Sequence, residues 1–279
     1  MTQPSHDEIR GAVREVYGSI AERGSGSCAP GCCGPTVSAD ASLQLGYSVD
    51  DLAAVPAGAD LGLGCGNPQA MAALKQGERV LDLGSGAGFD CFLAARQVGS
   101  TGSVIGVDMT AAMVSRARAN ADQVKATNVE FRLGEIERLP VADASVDVIL
   151  SNCVVNLSPD KRAVFREAFR VLAPGGRLAI ADVVALGPMP DALRGQLEAV
   201  AGCVAGAAPV SEIEVMLRDA GFDPIEVTIR PESRTFIRDW FPGSGAEDAV
   251  ASATIEATKP AAVRSCCGPT CCPTGKTTP

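Results

Sequence analysis

One stretch of the chain decides the fold: Val80-Leu81-Asp82-Leu83-Gly84-Ser85-Gly86-Ala87-Gly88-Phe89. Its apolar start predicts a buried strand, and its glycines predict a turn whose backbone can approach a ligand closely. Residues 90–96 then predict a helix. The glycine spacing is Gly-x-Gly-x-Gly, whereas a dinucleotide site needs Gly-x-Gly-x-x-Gly/Ala, and Phe89 occupies that last position. The stretch therefore disfavours NAD as the ligand.

Short apolar runs on both sides of this stretch alternate with helical segments. The runs are residues 79–83, 103–107, 129–133, 146–150 and 177–181. This alternation is typical of a doubly wound parallel sheet. A later strand is predicted over residues 225–229, after a helix that Ser211 and Glu214 would cap. We expect an α/β fold with a Rossmann-like doubly wound sheet, an N-terminal helical and loop extension, and a smaller C-terminal region.

The composition along the chain divides it into four segments. Residues 1–74 predict a helix and a cysteine-containing loop, residues 75–185 the sheet domain, and residues 186–242 the remaining part of the fold. Residues 243–279 are rich in Ala, Ser, Thr, Gly and Pro, a composition that predicts a flexible, cysteine-rich tail. The pentapeptide Cys-Cys-Gly-Pro-Thr occurs twice, at residues 32–36 and 266–270.

Charge and cysteine content exclude several classes of function. The formal net charge of -9, without a basic stripe, excludes nucleic acid as a partner. Neither the apolar region of a signal peptide nor a membrane span is found, which predicts a cytoplasmic protein with no membrane contact. In a reducing compartment, 11 cysteines indicate soft-metal or metalloid binding rather than a disulfide framework.

An acidic residue, Asp108, ends the second predicted strand, where a carboxylate can accept hydrogen bonds from ribose hydroxyls. Together with the glycine turn, it makes residues 75–182 resemble the class I S-adenosylmethionine-dependent methyltransferases. The resemblance implies S-adenosyl-L-methionine as cofactor. It also implies cofactor contacts from Asp82, Gly84, Ser85, Gly86, Gly88, Asp108, Met109, Gly134, Ile136, Glu137 and Asn152.

The methyl acceptor of class I methyltransferases binds at the end of the fourth strand, where this chain reads Ser151-Asn152-Cys153-Val154-Val155-Asn156-Leu157. A thiol therefore stands in the acceptor position. The single histidine, His6, lies far from this region, so no histidine near the core can act as a general base. An acceptor with its own lone pair, such as trivalent arsenic held by thiolates, needs positioning rather than a base.

The closest resemblance is to the arsenite S-adenosylmethionine methyltransferases. It rests on four segments, residues 62–68, 106–110, 151–157 and 201–207, and extends from about residue 28 to about residue 240. It implies that Cys65, Cys153 and Cys203 bind As(III), and that Cys33 or Cys32 takes part in loading the substrate or in disulfide exchange. These three cysteines are too far apart in sequence to form a local metal-binding motif.

The resemblance also implies a reaction. Arsenite or its thiol conjugate would be methylated to methylarsenite and dimethylarsenite, a detoxification that uses thioredoxin or glutathione as thiol reductant. Leu63 departs from the family pattern, because many members have an aromatic residue there. Two alternatives stay open. One is methylation of another small molecule, such as a quinone, and the other is a soft-metal-sequestering protein whose methyltransferase fold is inactive.

Overall fold

A computed structural model of the chain describes residues 4–23, 39–190, 193 and 196–261. The helices of these residues are α1 His6–Arg23, α2 Ala39–Gln44, α3 Val49–Ala53, α4 Pro68–Ala72, α5 Phe89–Val98, α6 Ala111–Val124, α7 Lys161–Val171, α8 Leu197–Ala201, α9 Val210–Ala220, α10 Arg234–Trp240 and α11 Ala246–Ala249. None of them is long and apolar enough to cross a membrane. Cys33, Cys32 and the C-terminal cysteine cluster lie outside the described residues.

The strands form one sheet. They are β1 Arg79–Leu83, β2 Ser103–Asp108, β3 Val129–Leu133, β4 Val146–Asn152, β5 Leu172–Ala185, β6 Ala208–Pro209, β7 Ile225–Arg230 and β8 Val250–Thr258. Their order is β3-β2-β1-β4-β5-β8-β7, with β6 paired to β5. All the strands predicted from sequence are confirmed, and β3, β2, β1, β4 and β5 run parallel.

This order brings the carboxyl ends of β2, β1 and β4 to one edge of the sheet. Leu83 at the end of β1 is in register with Val107 of β2 and with Ser151 of β4. In an open parallel sheet, a crevice forms where the chain leaves a central strand in opposite directions on its two sides. Here β1 is that strand, because β2 and β4 flank it, so the glycine turn opens into the crevice.

The prediction of a flexible tail from residue 243 is wrong for residues 243–261. They contain α11 and β8, and β8 lies between β5 and β7 with antiparallel pairing to both. Its small side chains suit this central place, since Ala251, Ser252 and Ala253 are almost completely buried. Composition alone suggested a chain that cannot bury a core, but small residues pack well where layers approach closely.

Apolar side chains cover both faces of the sheet. Phe165, Leu217 and Phe222 belong to the cluster on one face, whereas Phe92 and Val98 belong to the cluster on the other. The prediction that Ser211 caps α9 is wrong. The helix begins at Val210 and follows Pro209, whose strand pairs with β5, so Ser211 already lies inside the first turn.

Candidate functional site

The cavity at the carboxyl edge of the sheet is lined by the glycine turn, the ends of β2 and β4, and residues of α1. At Gly84 the backbone is left-handed, with φ of 70°, and a side-chain carbon would collide with Val154. At Gly86, φ is 51° and an added carbon would meet nothing within 4 Å. The first glycine therefore allows close packing, and the second keeps cavity space open.

Gly88 and Gly134 support the cavity from outside its lining. Gly88 precedes α5 with φ of 95°, and a side-chain carbon there would lie 2.7 Å from Phe131. Gly134 donates its N–H to the carbonyl of Asp108 at 3.0 Å and packs against Pro140. The other nine residues predicted to contact the cofactor line the cavity.

Asp108 is fixed by two backbone N–H groups. One carboxylate oxygen accepts a hydrogen bond from Gly86 at 3.0 Å, and the other accepts one from Thr110 at 2.8 Å. Burial raises the pKa of this carboxyl, and the two donors oppose that effect. Each oxygen has a further lone pair, so the carboxylate can also accept hydrogen bonds from a pair of hydroxyl groups.

Asp82 and Asp90 add two more buried carboxyl groups to the cavity wall. Burial raises the pKa of Asp82 well above its usual range, and the nearby charge of Asp90 raises it further. Burial raises the pKa of Asp90 to about 6, although Tyr47 donates its hydroxyl to this carboxylate at 2.8 Å. Among the described residues, no lysine or arginine forms an ion pair with either carboxylate or with Asp108.

Sequence reasoning missed Asp90 and Tyr47. Asp90 follows the glycine turn directly at the start of α5, and an acidic residue in that position is a signal that could have found it. Tyr47 lies 43 residues earlier in a segment without a motif, so only the fold reveals its contact with Asp90.

At the far end of the cavity, Met109 and Ile136 give an apolar lining, and Glu137 gives a charged one. Glu137 accepts hydrogen bonds from Arg10 of α1 at 3.1 Å and from Ser158 at 2.8 Å. Helix α1 thereby packs over the edge of the cavity.

Asn152, the last residue of β4, links the cavity to the turn that carries Cys65. Its side-chain oxygen accepts the backbone N–H of Cys65 at 3.0 Å, and its amide donates to the carbonyl of Gly66 at 2.8 Å. The same amide donates to the Tyr47 hydroxyl at 3.0 Å. We predicted Asn152 as a cofactor contact, and its hydrogen bonds show that it also orients a cysteine.

The structure brings Cys65, Cys153 and Cys203 together in one buried apolar cluster. The sulfurs of Cys65 and Cys153 and one carboxylate oxygen of Asp182 lie within 4.8 Å of one another. The thiol of Cys203 donates to the carbonyl of Cys153 at 2.9 Å. All three are free thiols with at most 7% of their surface exposed. Cys91 lies apart from them, with its thiol 3.3 Å from Asp82.

Two of these cysteines have an unusual backbone. Cys153 has φ of 59° and Cys203 has φ of 62°, in the left-handed region that residues with side chains rarely adopt. Such conformations cost about 1–3 kcal/mol each, persist only where the surrounding structure imposes them, and cluster at functional sites. Ala73 and Lys125 have the same backbone at helix ends, whereas Cys153 and Cys203 have it within the buried cysteine cluster.

Cys65 and Cys153 hold protonated thiols. Burial raises the pKa of Cys65 to about 11, and it raises that of Cys153 well above its ordinary value. Burial also raises the pKa of Asp182 to about 6, against three hydrogen-bond donors and the nearby charge of Lys161. The cluster is thus poised for a ligand that displaces thiol protons, such as a soft metal or metalloid.

Comparison with known proteins identifies the family. Residues 74–221 match the model of a methyltransferase domain. The chain is 53% identical over 264 residues to an arsenite methyltransferase of Halobacterium salinarum, an alignment that covers 91% of this chain and 68% of that protein. The chain belongs to the arsenite methyltransferase family. Its α/β fold is that of the class I enzymes, and the methyl donor of the family is S-adenosyl-L-methionine.

Other relatives agree with this assignment. An arsenite methyltransferase of Aquipseudomonas alcaligenes is 41% identical over 80% of this chain and 65% of its own length. The chain thus spans about two thirds of the length of these two relatives. The crystal structure of CrArsM, an arsenic (III) S-adenosylmethionine methyltransferase from Chlamydomonas reinhardtii, is 33% identical with a TM-score of 0.58, covering 79% of this chain and 73% of that one.

The cavity fits the methyl donor of this family. Ser85 has a buried hydroxyl oxygen with no hydrogen-bond partner among the described residues, although it lines the cavity. A ligand with hydrogen-bonding groups would satisfy it. The acidic wall of Asp82, Asp90 and Asp108 suits a positively charged nucleoside, since buried carboxylates that form no ion pair attract a cation. The residues present are therefore those that would hold S-adenosyl-L-methionine.

Proposed function

We propose that this chain transfers methyl groups from S-adenosyl-L-methionine to As(III) held by Cys65, Cys153 and Cys203, giving methylarsenite and then dimethylarsenite. The observation that carries the proposal is the convergence of these three buried thiols beside the cofactor cavity. Because Asn152 contacts both the cavity and the Cys65 turn, methyl donor and acceptor would be held on the same framework. The biological role that follows is arsenic detoxification.

The thiols provide both affinity and orientation. When arsenite binds, each thiol proton combines with one arsenite hydroxyl group, and the pair leaves as water. Three sulfur ligands leave arsenic with a lone pair, so no general base is required. The apolar cluster around the cysteines, which includes Val183 and Val204, excludes water from the bound arsenic. Bound S-adenosyl-L-methionine supplies a methyl group whose carbon this lone pair can attack, and its positively charged sulfur is the leaving group.

The remaining steps need thiols from elsewhere. Cys33 or Cys32 would accept arsenic from a thiol conjugate and pass it to the three cysteines, or exchange with the disulfide that forms when two thiolates reduce the methylated, pentavalent arsenic back to the trivalent state. A thiol reductant such as thioredoxin or glutathione would restore the reduced enzyme between cycles. Because each cycle must start from free thiols, we propose that the reaction takes place in the cytoplasm.

Arsenic speciation tests the proposal. The purified protein is incubated with arsenite, S-adenosyl-L-methionine and a thiol reductant, and the products are separated by chromatography with elemental detection. Methylarsenite followed by dimethylarsenite is the expected result. Tight arsenite binding without any methylated product would contradict methyl transfer and favour sequestration of soft metals. Methylation of a quinone or another small molecule in place of arsenite would contradict the proposed acceptor.

A further inference from the structure

A buried carboxylate, that of Asp182, lies beside the cysteine cluster and has no part in the mechanism so far. Asp182 is on β5, directly after Ala181, whose carbonyl accepts the backbone N–H of Cys153 at 2.8 Å. Only 2% of its surface is exposed. One of its carboxylate oxygens lies within 4.8 Å of the sulfurs of both Cys65 and Cys153.

This carboxylate is held in place by hydrogen bonds that favour its ionised form. One oxygen accepts the side-chain amide of Asn156 at 2.8 Å and the backbone N–H of Val183 at 2.7 Å. The other accepts the backbone N–H of Asn156 at 3.3 Å. Donors that point at a carboxylate stabilise its negative charge. These donors oppose the effect of burial, which raises the pKa of Asp182 to about 6, so at pH 7 and above the carboxylate presents a negative charge to the sulfurs.

A negative charge in this place works against the binding of an anion. Burial is the main cause of the raised pKa of Cys65, and the negative charge of Asp182 raises it further. This charge therefore opposes formation of the Cys65 thiolate. Lys161 interacts with Asp182 through its charge, but no lysine or arginine among the described residues forms a contact ion pair with it. A cation that formed beside this carboxylate would be stabilised by it.

Methyl transfer creates such a cation. Arsenic bound by three sulfurs is neutral before the reaction. As its lone pair forms the arsenic–carbon bond, the carbon–sulfur bond of the donor breaks and its electron pair stays on the donor sulfur. The donor sulfur becomes neutral, arsenic acquires the positive charge, and its formal state changes from trivalent to pentavalent. The charge thus moves toward the cysteine cluster, where Asp182 lies.

We propose that Asp182 accelerates methyl transfer by stabilising the positive charge that develops on arsenic, an inference that rests on the proposed function. A preorganised charge that faces the place where opposite charge develops stabilises the transition state more than the ground state. The low exposure of Asp182 strengthens this interaction, because solvent screens a buried charge less than an exposed one. The same charge interacts little with the neutral arsenic centre before the reaction, so its effect falls on the rate and not on arsenite binding.

The test measures two quantities in Asp182→Asn, which removes the charge and keeps a hydrogen-bond acceptor. One is the number of arsenic atoms bound at equilibrium, and the other is the rate of methyl transfer in a single turnover of arsenic-loaded protein at saturating S-adenosyl-L-methionine. We expect unchanged arsenic binding and a rate lowered by about 10–100-fold. Asp182→Glu, which restores the charge, should recover part of the rate. Asp147→Asn, a half-buried position on β4 whose carboxylate pairs with Arg79 away from the cysteine cluster, is the control and should react like the wild type.

Three outcomes would overturn the inference. They are a wild-type rate in Asp182→Asn, loss of arsenic binding together with the rate, and equal slowing by Asp182→Asn and Asp182→Glu, which would indicate packing rather than charge. If Asp182→Asn does not fold, Asp182→Ser carries the same expectation. Absence of arsenite methylation in the wild-type protein would instead contradict the proposed function itself, so the two failures are distinguishable.

Discussion

The cofactor side and the cysteine side of this site are assembled in different ways. On the cofactor side, one strand, one turn and one helix within residues 79–98 supply a continuous segment of the wall from Asp82 to Asp90, so local backbone geometry shapes that segment. On the cysteine side, Cys65, Cys153 and Cys203 come from three separate connections, and two of them have left-handed backbone. A local motif builds the first half, whereas tertiary packing imposes the second. The two halves should therefore respond separately to substitution.

The largest expected effect is on the cysteine side. Cys153→Ser and Cys203→Ser should each lower arsenite methylation about a thousandfold or more, because a ligand of the reacting atom is lost. Binding of S-adenosyl-L-methionine, measured by calorimetry, should stay unchanged. The matched control is Cys91→Ser, which alters a buried thiol outside the cluster and should retain activity. Loss of cofactor affinity in Cys153→Ser would show that the two halves are not separable.

The next effect is on the cofactor side. Gly86→Ala should weaken binding of S-adenosyl-L-methionine at least about tenfold, since its methyl group would enter open cavity space at a left-handed position. Gly175→Ala is the matched control, because Gly175 has φ of 84° and also meets nothing within 4 Å, but it lies outside the cavity. Both variants should lose about 1 kcal/mol of stability from backbone strain. Equal cofactor affinity in the two would refute the placement of Gly86.

A smaller effect concerns the acidic wall. Asp90→Asn should lower the affinity for S-adenosyl-L-methionine about tenfold and that for S-adenosylhomocysteine less, because the second ligand lacks the positive sulfur. Isothermal titration of both ligands into wild type and variant gives the loss of affinity for each ligand. Equal losses for the two ligands would contradict an electrostatic role for this carboxylate.

The smallest effect is the pH dependence of that same group. Because the pKa of Asp90 is raised to about 6 in the folded protein, its contribution to stability is present at low pH and is lost as the pH rises from about 4 through about 6. In the ligand-free protein, the wild type should lose stability relative to Asp90→Asn over this range. Denaturant unfolding of both proteins at pH 5 and pH 7 measures the difference. A difference that does not change with pH would contradict the raised pKa.

Sequence patterns predicted those parts of the molecule that local rules determine. The strands, the glycine turn and the cavity position of Asp108 follow from hydrophobic periodicity and the need for left-handed backbone. Strand β8 was missed because its Ala, Ser and Thr residues look like a linker until two neighbouring strands bury them. Ser211 looked like a helix cap because the pairing of Pro209 with β5, which fixes the start of α9, leaves no local signal.

The residues of the site divide in the same way, into those that local motifs indicate and those that only distant neighbours reveal. The nine cavity residues named in advance lie in or beside recognisable motifs. Asp182 and Tyr47 escaped notice because their importance comes from distant neighbours, the sulfur of Cys65 and the carboxylate of Asp90. The approach of Cys65, Cys153 and Cys203 could be expected from the family resemblance alone, since no rule of spacing brings residues so far apart in sequence to one point.

The central claim is that these three cysteines hold a single arsenic atom. X-ray absorption spectroscopy at the arsenic edge tests it directly, on a variant in which Cys28, Cys32, Cys33, Cys266, Cys267, Cys271 and Cys272 are serine. The account predicts one arsenic per protein with three sulfur neighbours, and one sulfur fewer when Cys65 is also replaced by serine. Arsenic with fewer than three sulfur neighbours in the first variant, or an unchanged sulfur count in the second, would contradict it.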